Sequence, residues 1–149
     1  DKVNKFLESG GDYTLKKLEA FLIEQEIKKN YMWAIHIKKT NQHIGNIKID
    51  PNVTLGPLEF RKNCGQLGIL IGEKSKWGNG YAYESSKRII DFCFEKLDLK
   101  RIVLGVKKAN LNAIKLYKNL GFEFFKKKQY PKIYVGIPSD AIIMGLNHE

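Results

Sequence analysis

The sequence predicts a single α/β domain with a mixed central β-sheet that is flanked by helices on both faces. The chain has 149 residues, 43% hydrophobic and 28% charged, which is typical of one folded domain. Segments with the periodicity of strands and of helices alternate along it. Between residues 64 and 106 an apolar strand, a long amphipathic helix and a second apolar strand follow one another. This order predicts a right-handed crossover between parallel strands.

The composition argues against several classes of protein. No apolar run approaches the roughly 18 residues of a membrane-spanning helix and no signal peptide is visible, so we expect a cytoplasmic protein with no membrane partner. Cys64 and Cys93 form no CxxC pair, so neither a disulfide framework nor a metal site is expected. The net charge of +10 comes mostly from scattered lysines, which favours a solvated face, or attraction of an anionic small ligand, over nucleic-acid binding.

The first 63 residues predict one helix and one β-hairpin. The chain starts at Asp1 as if inside an element, so we expect a strand or helix to precede it. Strands over 32–38 and 44–49 flank a turn. In the segment 52–63, which reads as a loop, Leu58 and Phe60 alternate like a short strand. The helix begins after Asp12 or Thr14, and its apolar stripe consists of Leu15, Leu18, Phe21 and Leu22.

The second part of the chain has clearer boundaries. Asn110 is a good N-cap for a short helix, which Gly121 ends in a left-handed conformation. The predicted strands cover 64–71, 101–106, 122–130 and 140–146, the long helix covers 82–97, and 131–138 is a loop or irregular strand.

The bend before the long helix has the residues of an anion site. Gly78 and Gly80 let the backbone approach a ligand, and the helix dipole adds about half a positive charge. Tyr83 replaces the third glycine of a dinucleotide fingerprint, and no Gly-Lys-Ser/Thr follows. The spacing alone leaves a tight turn without a ligand as an alternative. We interpret the bend as the seat of the pyrophosphate of a large cofactor.

Two longer patterns occur in this part of the chain, Ile71-Gly72-Glu73-x-x-x-Trp77-Gly78-Asn79-Gly80-Tyr81-Ala82-x-Glu84 and Asn110-x-x-Ala113-Ile114-x-Leu116-Tyr117-x-x-x-Gly121-Phe122. The first resembles motif A of the GNAT superfamily of N-acetyltransferases, with Trp77 where Gln or Arg is usual. Its form is similar to the branch that includes ribosomal-protein-alanine and amino-sugar acetyltransferases. The second resembles motif B of the same superfamily.

The resemblance implies acetyl-coenzyme A as acetyl donor, no metal, and central strands that splay apart. It implies that Asn110 forms a hydrogen bond with the pantetheine arm, although a helix cap alone also explains this residue, and the two roles are compatible. Backbone amides along the central strand would meet the same arm, and the glycine turn would hold the pyrophosphate. The strand residues are Ile69, Leu70 and Ile71, and the turn residues are Trp77, Gly78, Asn79, Gly80, Tyr81 and Ala82.

The resemblance also implies a proton donor. Tyr117 lies where the family has a tyrosine that protonates the departing thiolate, although packing alone also explains a tyrosine on this apolar face. Glu73 is the candidate general base, with Glu59 as the alternative. Cys64 fits a small buried residue better than a covalent acetyl carrier.

The expected function is acetyl transfer to a primary amine by direct attack in a ternary complex. The amine belongs to a small molecule, such as a nucleotide-linked amino sugar, or to a protein N-terminus. A polyamine ranks last because a chain of charge +10 repels a polycation. The alternatives are a non-catalytic acyl-coenzyme sensor or interaction module, and a nucleic-acid binder. A homodimer is compatible with all of these hypotheses.

Overall fold

The computed structural model describes residues 30–72 and 78–149, in which the strands form one six-stranded sheet. The predicted first helix, Glu73 and Trp77 lie outside the described residues. The strand order is β1-β2-β3-β4-β6-β5. The elements are β1 (Tyr31–Ile37), β2 (Gln42–Asp50), α1 (Leu58–Arg61), β3 (Cys64–Ile71), α2 (Tyr81–Glu95), β4 (Arg101–Lys107), α3 (Leu111–Asn119), β5 (Glu123–Phe125), a 3₁₀ helix (Pro131–Tyr134) and β6 (Ala141–Asn147).

The central strands β3 and β4 are parallel, as predicted, but they pair over a short distance. The paired residues run from Cys64 opposite Arg101 to Gln66 opposite Val103. Beyond Gln66, β3 continues beside β2 alone, and beyond Val103, β4 continues beside β6. The sheet is therefore divided into two halves that separate toward the carboxyl ends of β3 and β4. We call the opening between residues 67–71 and 104–107 the fork.

The two faces of the sheet are covered by different elements, which confirms helices on both faces. The larger hydrophobic cluster joins Ile90 and Cys93 of α2 and Tyr117 of α3 to alternate β4 residues such as Ile102 and Leu104. Since side chains alternate across a strand, Val103 points to the other face. There it packs with Val53 and Cys64, and Phe60 of α1 lies against them. Ile133 and Tyr134 of the 3₁₀ helix pack beside them on Ile143.

Residues 58–61 form a helical turn, so the strand-like interpretation of Leu58 and Phe60 was wrong. The amide groups of Phe60 and Arg61 both donate to the carbonyl of Pro57, at 3.0 and 3.3 Å. The Arg61 Nε also donates to the Gly56 carbonyl at 2.7 Å and closes the turn. Leu58 is exposed, and the side chain of Phe60 packs α1 against the sheet.

The strand predicted over residues 122–130 is much shorter, because only Glu123–Phe125 pairs with β6. A turn follows at once, with the amides of Gln129 and Tyr130 donating to the Lys126 carbonyl. The Tyr134 hydroxyl donates to the Phe125 carbonyl at the end of the strand. This tertiary hydrogen bond, which the local sequence pattern does not predict, occupies the Phe125 carbonyl at the point where β5 ends.

No helix in the described part of the chain is long and apolar enough to cross a membrane.

Two buried thiols predict a loss of stability at alkaline pH. Burial raises the pKa of Cys93 from 9.0 to about 12 and the pKa of Cys64 to about 11. Above pH 9 the thiols ionise in the unfolded chain but not in the folded chain. The free energy of unfolding therefore keeps its full value well below pH 9 and falls as the pH rises. We expect each thiol to lower the free energy of unfolding by about 1 kcal/mol at pH 10.

Urea unfolding at pH 8 and pH 10 checks this prediction. Cys93→Ala lowers stability at both pH values because it leaves a cavity, but the difference between them should shrink by about 1 kcal/mol. If the free energy of unfolding differs between pH 8 and pH 10 by the same amount in this variant as in the unsubstituted protein, the Cys93 thiol does not cause the alkaline loss of stability.

Candidate functional site

The fork turns backbone amides of β3 toward the space beside β4. Peptide N–H groups point alternately to the two edges of a strand. The Gly72 amide donates to the Ile44 carbonyl on the β2 side at 2.9 Å. Ile69 and Ile71 therefore direct their N–H groups to the fork, whereas Leu70, opposite Asn46, directs its own toward β2. Of the three strand residues predicted to meet a ligand, Ile69 and Ile71 have this orientation.

The glycine turn leads directly into the N-terminus of α2. Gly78 and Gly80 have φ angles of 77° and 78°, which only glycine adopts without strain. A Cβ atom at either position would meet nothing within 4 Å. Gly80 is the N-cap and no side chain caps the helix, so the first amides, those of Tyr81 and Ala82, have no side-chain acceptor at the cap. The open backbone and the helix dipole suit a phosphate group.

Asn110 lies at the same end of the sheet, because the turn follows β3 and Asn110 follows the parallel strand β4. Its Oδ1 accepts a hydrogen bond from the Ala113 amide at 3.2 Å, which confirms the predicted helix cap. The side-chain NH₂ group is not used by this cap. Asn110 therefore combines a structural role with an amide donor at the mouth of the fork.

Tyr117 lies in the cluster that lines the α2 and α3 side of the fork. Its side chain is 8% exposed, and the partly buried Ile69 and Ile71 pack against the same cluster. Its ring lies 5.8 Å from that of Phe122. Burial raises the pKa of Tyr117 to about 12. The phenol therefore keeps its proton through the neutral and mildly alkaline range.

The carboxylates are dispersed. Glu59 is exposed on α1 and Glu84 is exposed in the first turn of α2, where its charge favours the helix dipole. Because α1 covers the face opposite to α2 and α3, Glu59 and Tyr117 approach the sheet from different sides. Glu73 lies outside the described residues.

The described residues do not favour a nucleophilic cysteine or a metal site. The raised pKa of Cys64 keeps its thiol protonated at neutral pH, whereas a nucleophilic cysteine needs a lowered pKa. Cys64 is a packing residue, as expected. Within residues 30–72 and 78–149, no group of three or more His, Cys, Asp and Glu side chains could hold a metal ion.

A cleft of about 490 Å³ opens on the α1 face and was not foreseen from the sequence. Arg101, the first residue of β4, forms part of its wall. The only sequence signal was an arginine at the start of an otherwise apolar strand. The remaining lining residues are Pro57, Glu59, Phe60, Gln129, Tyr130, Pro131, Lys132 and Ile133.

Comparison with known proteins places this geometry in context. A family model described as the acetyltransferase (GNAT) domain matches residues 1–123. An uncharacterized N-acetyltransferase, p20, of Bacillus licheniformis is 29% identical over 91 residues, which are 61% of this chain and 47% of that protein. The alignment thus spans about half the length of this relative.

Two solved structures share the fold. A domain from Methanocaldococcus jannaschii superposes with a TM-score of 0.73 at 20% identity, covering 99% of this chain and 84% of that one. A mutant spermidine N-acetyltransferase from Vibrio cholerae superposes with a TM-score of 0.66 at 19% identity, covering 90% and 75%. At these identities the likeness concerns the fold alone.

The glycine turn yields a prediction with a matched control. Gly80 and Gly136 have nearly identical φ angles, 78° and 79°, and open space at the Cβ position. Gly80→Ala and Gly136→Ala should therefore each lower the free energy of unfolding by about 1 to 2 kcal/mol. If the turn is the predicted phosphate seat, Gly80→Ala should also weaken coenzyme A binding at least tenfold, because the added methyl group would enter that seat, whereas Gly136→Ala should not.

Calorimetric titration with coenzyme A measures the binding and urea unfolding measures the stability. Equal coenzyme affinity in the two variants would contradict a phosphate seat at Gly80.

Proposed function

The chain belongs to the acetyltransferase (GNAT) domain family, and on this premise we propose that it transfers an acetyl group from acetyl-coenzyme A to a primary amine. The observation that carries the proposal is the shared end of the sheet. The fork, the glycine turn after β3 and Asn110 after β4 lie along one edge. Together they would bind an extended ligand through amide donors, with its phosphate groups at the glycine turn.

The chain's own groups suit an extended, phosphorylated coenzyme. The open backbone at Gly78 and Gly80 leaves room for the pyrophosphate, and Trp77 precedes Gly78 in the sequence. Asn79, Tyr81 and Ala82 complete the proposed seat. Amides of the β3 segment Ile69, Leu70 and Ile71, chiefly those of Ile69 and Ile71, would bind the pantetheine arm, with Asn110 contributing its side-chain amide.

Bound acetyl-coenzyme A supplies an activated acyl group and a sulfur leaving group. Tyr117 would donate its hydroxyl proton in a hydrogen bond to that sulfur as negative charge develops on it. With a pKa of about 12, the phenol is a weaker acid than a thiol, whose pKa is about 8.5. The hydroxyl therefore acts first as a hydrogen-bond donor, and a proton that it passes to the sulfur is regained from water.

The attacking amine must be neutral, so a base has to remove its proton. Glu73 is our candidate because it follows β3 directly, at the carboxyl end that opens the fork. Glu59 is the alternative, acting through water from the α1 face. Either carboxylate would pass the proton on to solvent.

The acceptor is proposed at the level of chemical class. The Trp77 to Glu84 pattern is similar to the branch of ribosomal-protein-alanine and amino-sugar acetyltransferases, which favours an amino-sugar nucleotide or a protein N-terminus. The charge of +10 supports an acceptor that carries negative charge. The spermidine enzyme shares the fold at 19% identity, which is too little to transfer its acceptor to this chain.

Removal of one oxygen tests the proton donor. Tyr117→Phe keeps the buried ring and should lower kcat by about a hundredfold or more, with little change in KM for acetyl-coenzyme A. Tyr31→Phe, which alters an exposed tyrosine on β1, serves as the control and should leave kcat unchanged. The assay is thiol release with an amine acceptor at neutral pH.

Acetylation by Tyr117→Phe at the original rate would refute the role of this hydroxyl. Tight coenzyme binding without transfer to any amine would instead favour the acyl-coenzyme sensor.

The pH dependence of the rate follows from the raised pKa of Tyr117. A phenol with its ordinary pKa of about 10 would lose half of its protons by pH 10, whereas one with a pKa of about 12 keeps them. We therefore expect ionisation of Tyr117 to cause no fall in kcat between pH 8 and pH 10. The rate is corrected for spontaneous thioester hydrolysis, and a decline with a midpoint near pH 10 would contradict the buried, unionised donor.

A further inference from the structure

The guanidinium group of Arg101 is held in a fixed orientation in the wall of the cleft. Its central carbon lies 4.5 Å from the ring centroid of Phe60 and 5.8 Å from that of Phe125. Its Nε donates a hydrogen bond of 2.8 Å to the Oδ1 of Asn147. The ring contacts and the hydrogen bond together favour one orientation of the group.

The outer nitrogens of Arg101 remain available. In the part of the chain that the structure describes, Arg101 forms no salt bridge, and its hydrogen bond to Asn147 uses Nε alone. Four N–H donors are left on the two terminal nitrogens. A guanidinium group binds a carboxylate or phosphate through such donors, and orienting it in advance lowers the entropic cost of binding.

The rest of the cleft suits a ring with an oxyanion. Pro57, Phe60 and Tyr130 offer flat apolar surfaces, and Lys132 adds a second cation. Glu59 is the one carboxylate among the described lining residues, and its charge suits an amine. This combination selects a ring-bearing molecule with a negative group and an amine, and it disfavours a polycation.

The cleft lies close to the base of the fork. Arg101 and Val103 share a face of β4 and are two residues apart, which is roughly 7 Å along a strand. Val103 is the last β4 residue paired with β3. The Cα atom of Arg101 thus lies two residues before the point where the central strands separate, on the same face of the sheet as Val103.

We propose that this cleft binds the acceptor of the acetyl transfer, and that the acceptor is a ring-bearing amine with a phosphate or carboxylate held by Arg101. The inference rests on the proposed acetyl transfer and names the acceptor class for it. Arg101 is here a specificity-determining residue that holds the anionic group while the amine reaches toward the fork.

A direct binding experiment tests the anion site without turnover. Calorimetric titration with phenyl phosphate, in the absence of coenzyme, should show binding that Arg101→Gln weakens at least tenfold. Arg101→Lys should weaken phenyl phosphate binding less, since lysine keeps the positive charge but lacks the paired N–H donors of the guanidinium group. Arg88→Gln, which removes an exposed arginine on α2, should leave binding unchanged. Lys132→Gln, at an exposed position, should weaken binding severalfold even if Arg101→Gln fails to fold.

Matched amine pairs then test the acceptor class. Glucosamine 6-phosphate should be acetylated with at least tenfold higher kcat/KM than glucosamine, and 4-(aminomethyl)benzoate should surpass benzylamine. Arg101→Gln should remove this preference by raising KM for the anionic amine, with kcat and the neutral amines little changed.

The outcomes separate the two proposals. Equal use of anionic and neutral amines, or phenyl phosphate binding that Arg101→Gln does not weaken, would overturn the acceptor cleft and leave acetyl transfer standing. Binding of phenyl phosphate that depends on Arg101, without acetylation of any amine, would support the anion site and overturn the proposed function.

Discussion

The short parallel pairing between β3 and β4 is the constraint on which the rest of the structure depends. The two strands share hydrogen bonds from Cys64 to Gln66 on one side and from Arg101 to Val103 on the other. Past this point each strand keeps an antiparallel neighbour on its outer side but loses the inner one. The inner edges of the two strands beyond this point are therefore not paired with each other. An extended ligand with amide groups of its own is one partner that suits such an edge, and the glycine turn and Asn110 lie where such a ligand would emerge.

The two proposed sites lie on opposite faces of the sheet. Tyr117, α2 and α3 lie on one face, and the Arg101 cleft with α1 and the 3₁₀ helix lies on the other. Direct transfer requires both substrates to be bound at once, so they need separate approaches to a common point. A divided sheet offers this arrangement, because the fork connects the two faces where the strands part.

The sequence predicted the elements between residues 64 and 120 well because their signals are local and strong. The apolar run of β3, the amphipathic α2 and the Asn110 cap each arise from contacts within a few residues or from a buried face. The family resemblance rests on the same stretch. The proposed roles of Tyr117 and Glu73 still rest on that resemblance, although the burial of Tyr117 is consistent with its role.

What the sequence did not predict depends on distant contacts. The end of β5 follows from a hydroxyl nine residues away, on Tyr134. The orientation of Arg101 depends on Asn147, which is 46 residues distant, and on the ring of Phe60. Hydrophobic periodicity and secondary-structure propensity describe residues that are close in the sequence, so they do not indicate contacts between distant residues. The Arg101 cleft is built largely from contacts of this kind, which explains why no motif marked it.

The attachment of the 3₁₀ helix has a consequence for how such a domain diverges. The Tyr134 hydroxyl bridges the sheet by donating to the Phe125 carbonyl and accepting from the Ile143 amide, and Ile133 anchors the segment beside it. Tyr130, Pro131 and Lys132 precede this anchor and are exposed. The Tyr130 ring packs edge-to-face on Phe125 at 5.1 Å, but none of these three residues belongs to the fork or the glycine turn. If the cleft binds the acceptor, as proposed, substitutions here can change acceptor preference among descendants of one ancestor while the donor side of the reaction is inherited unchanged.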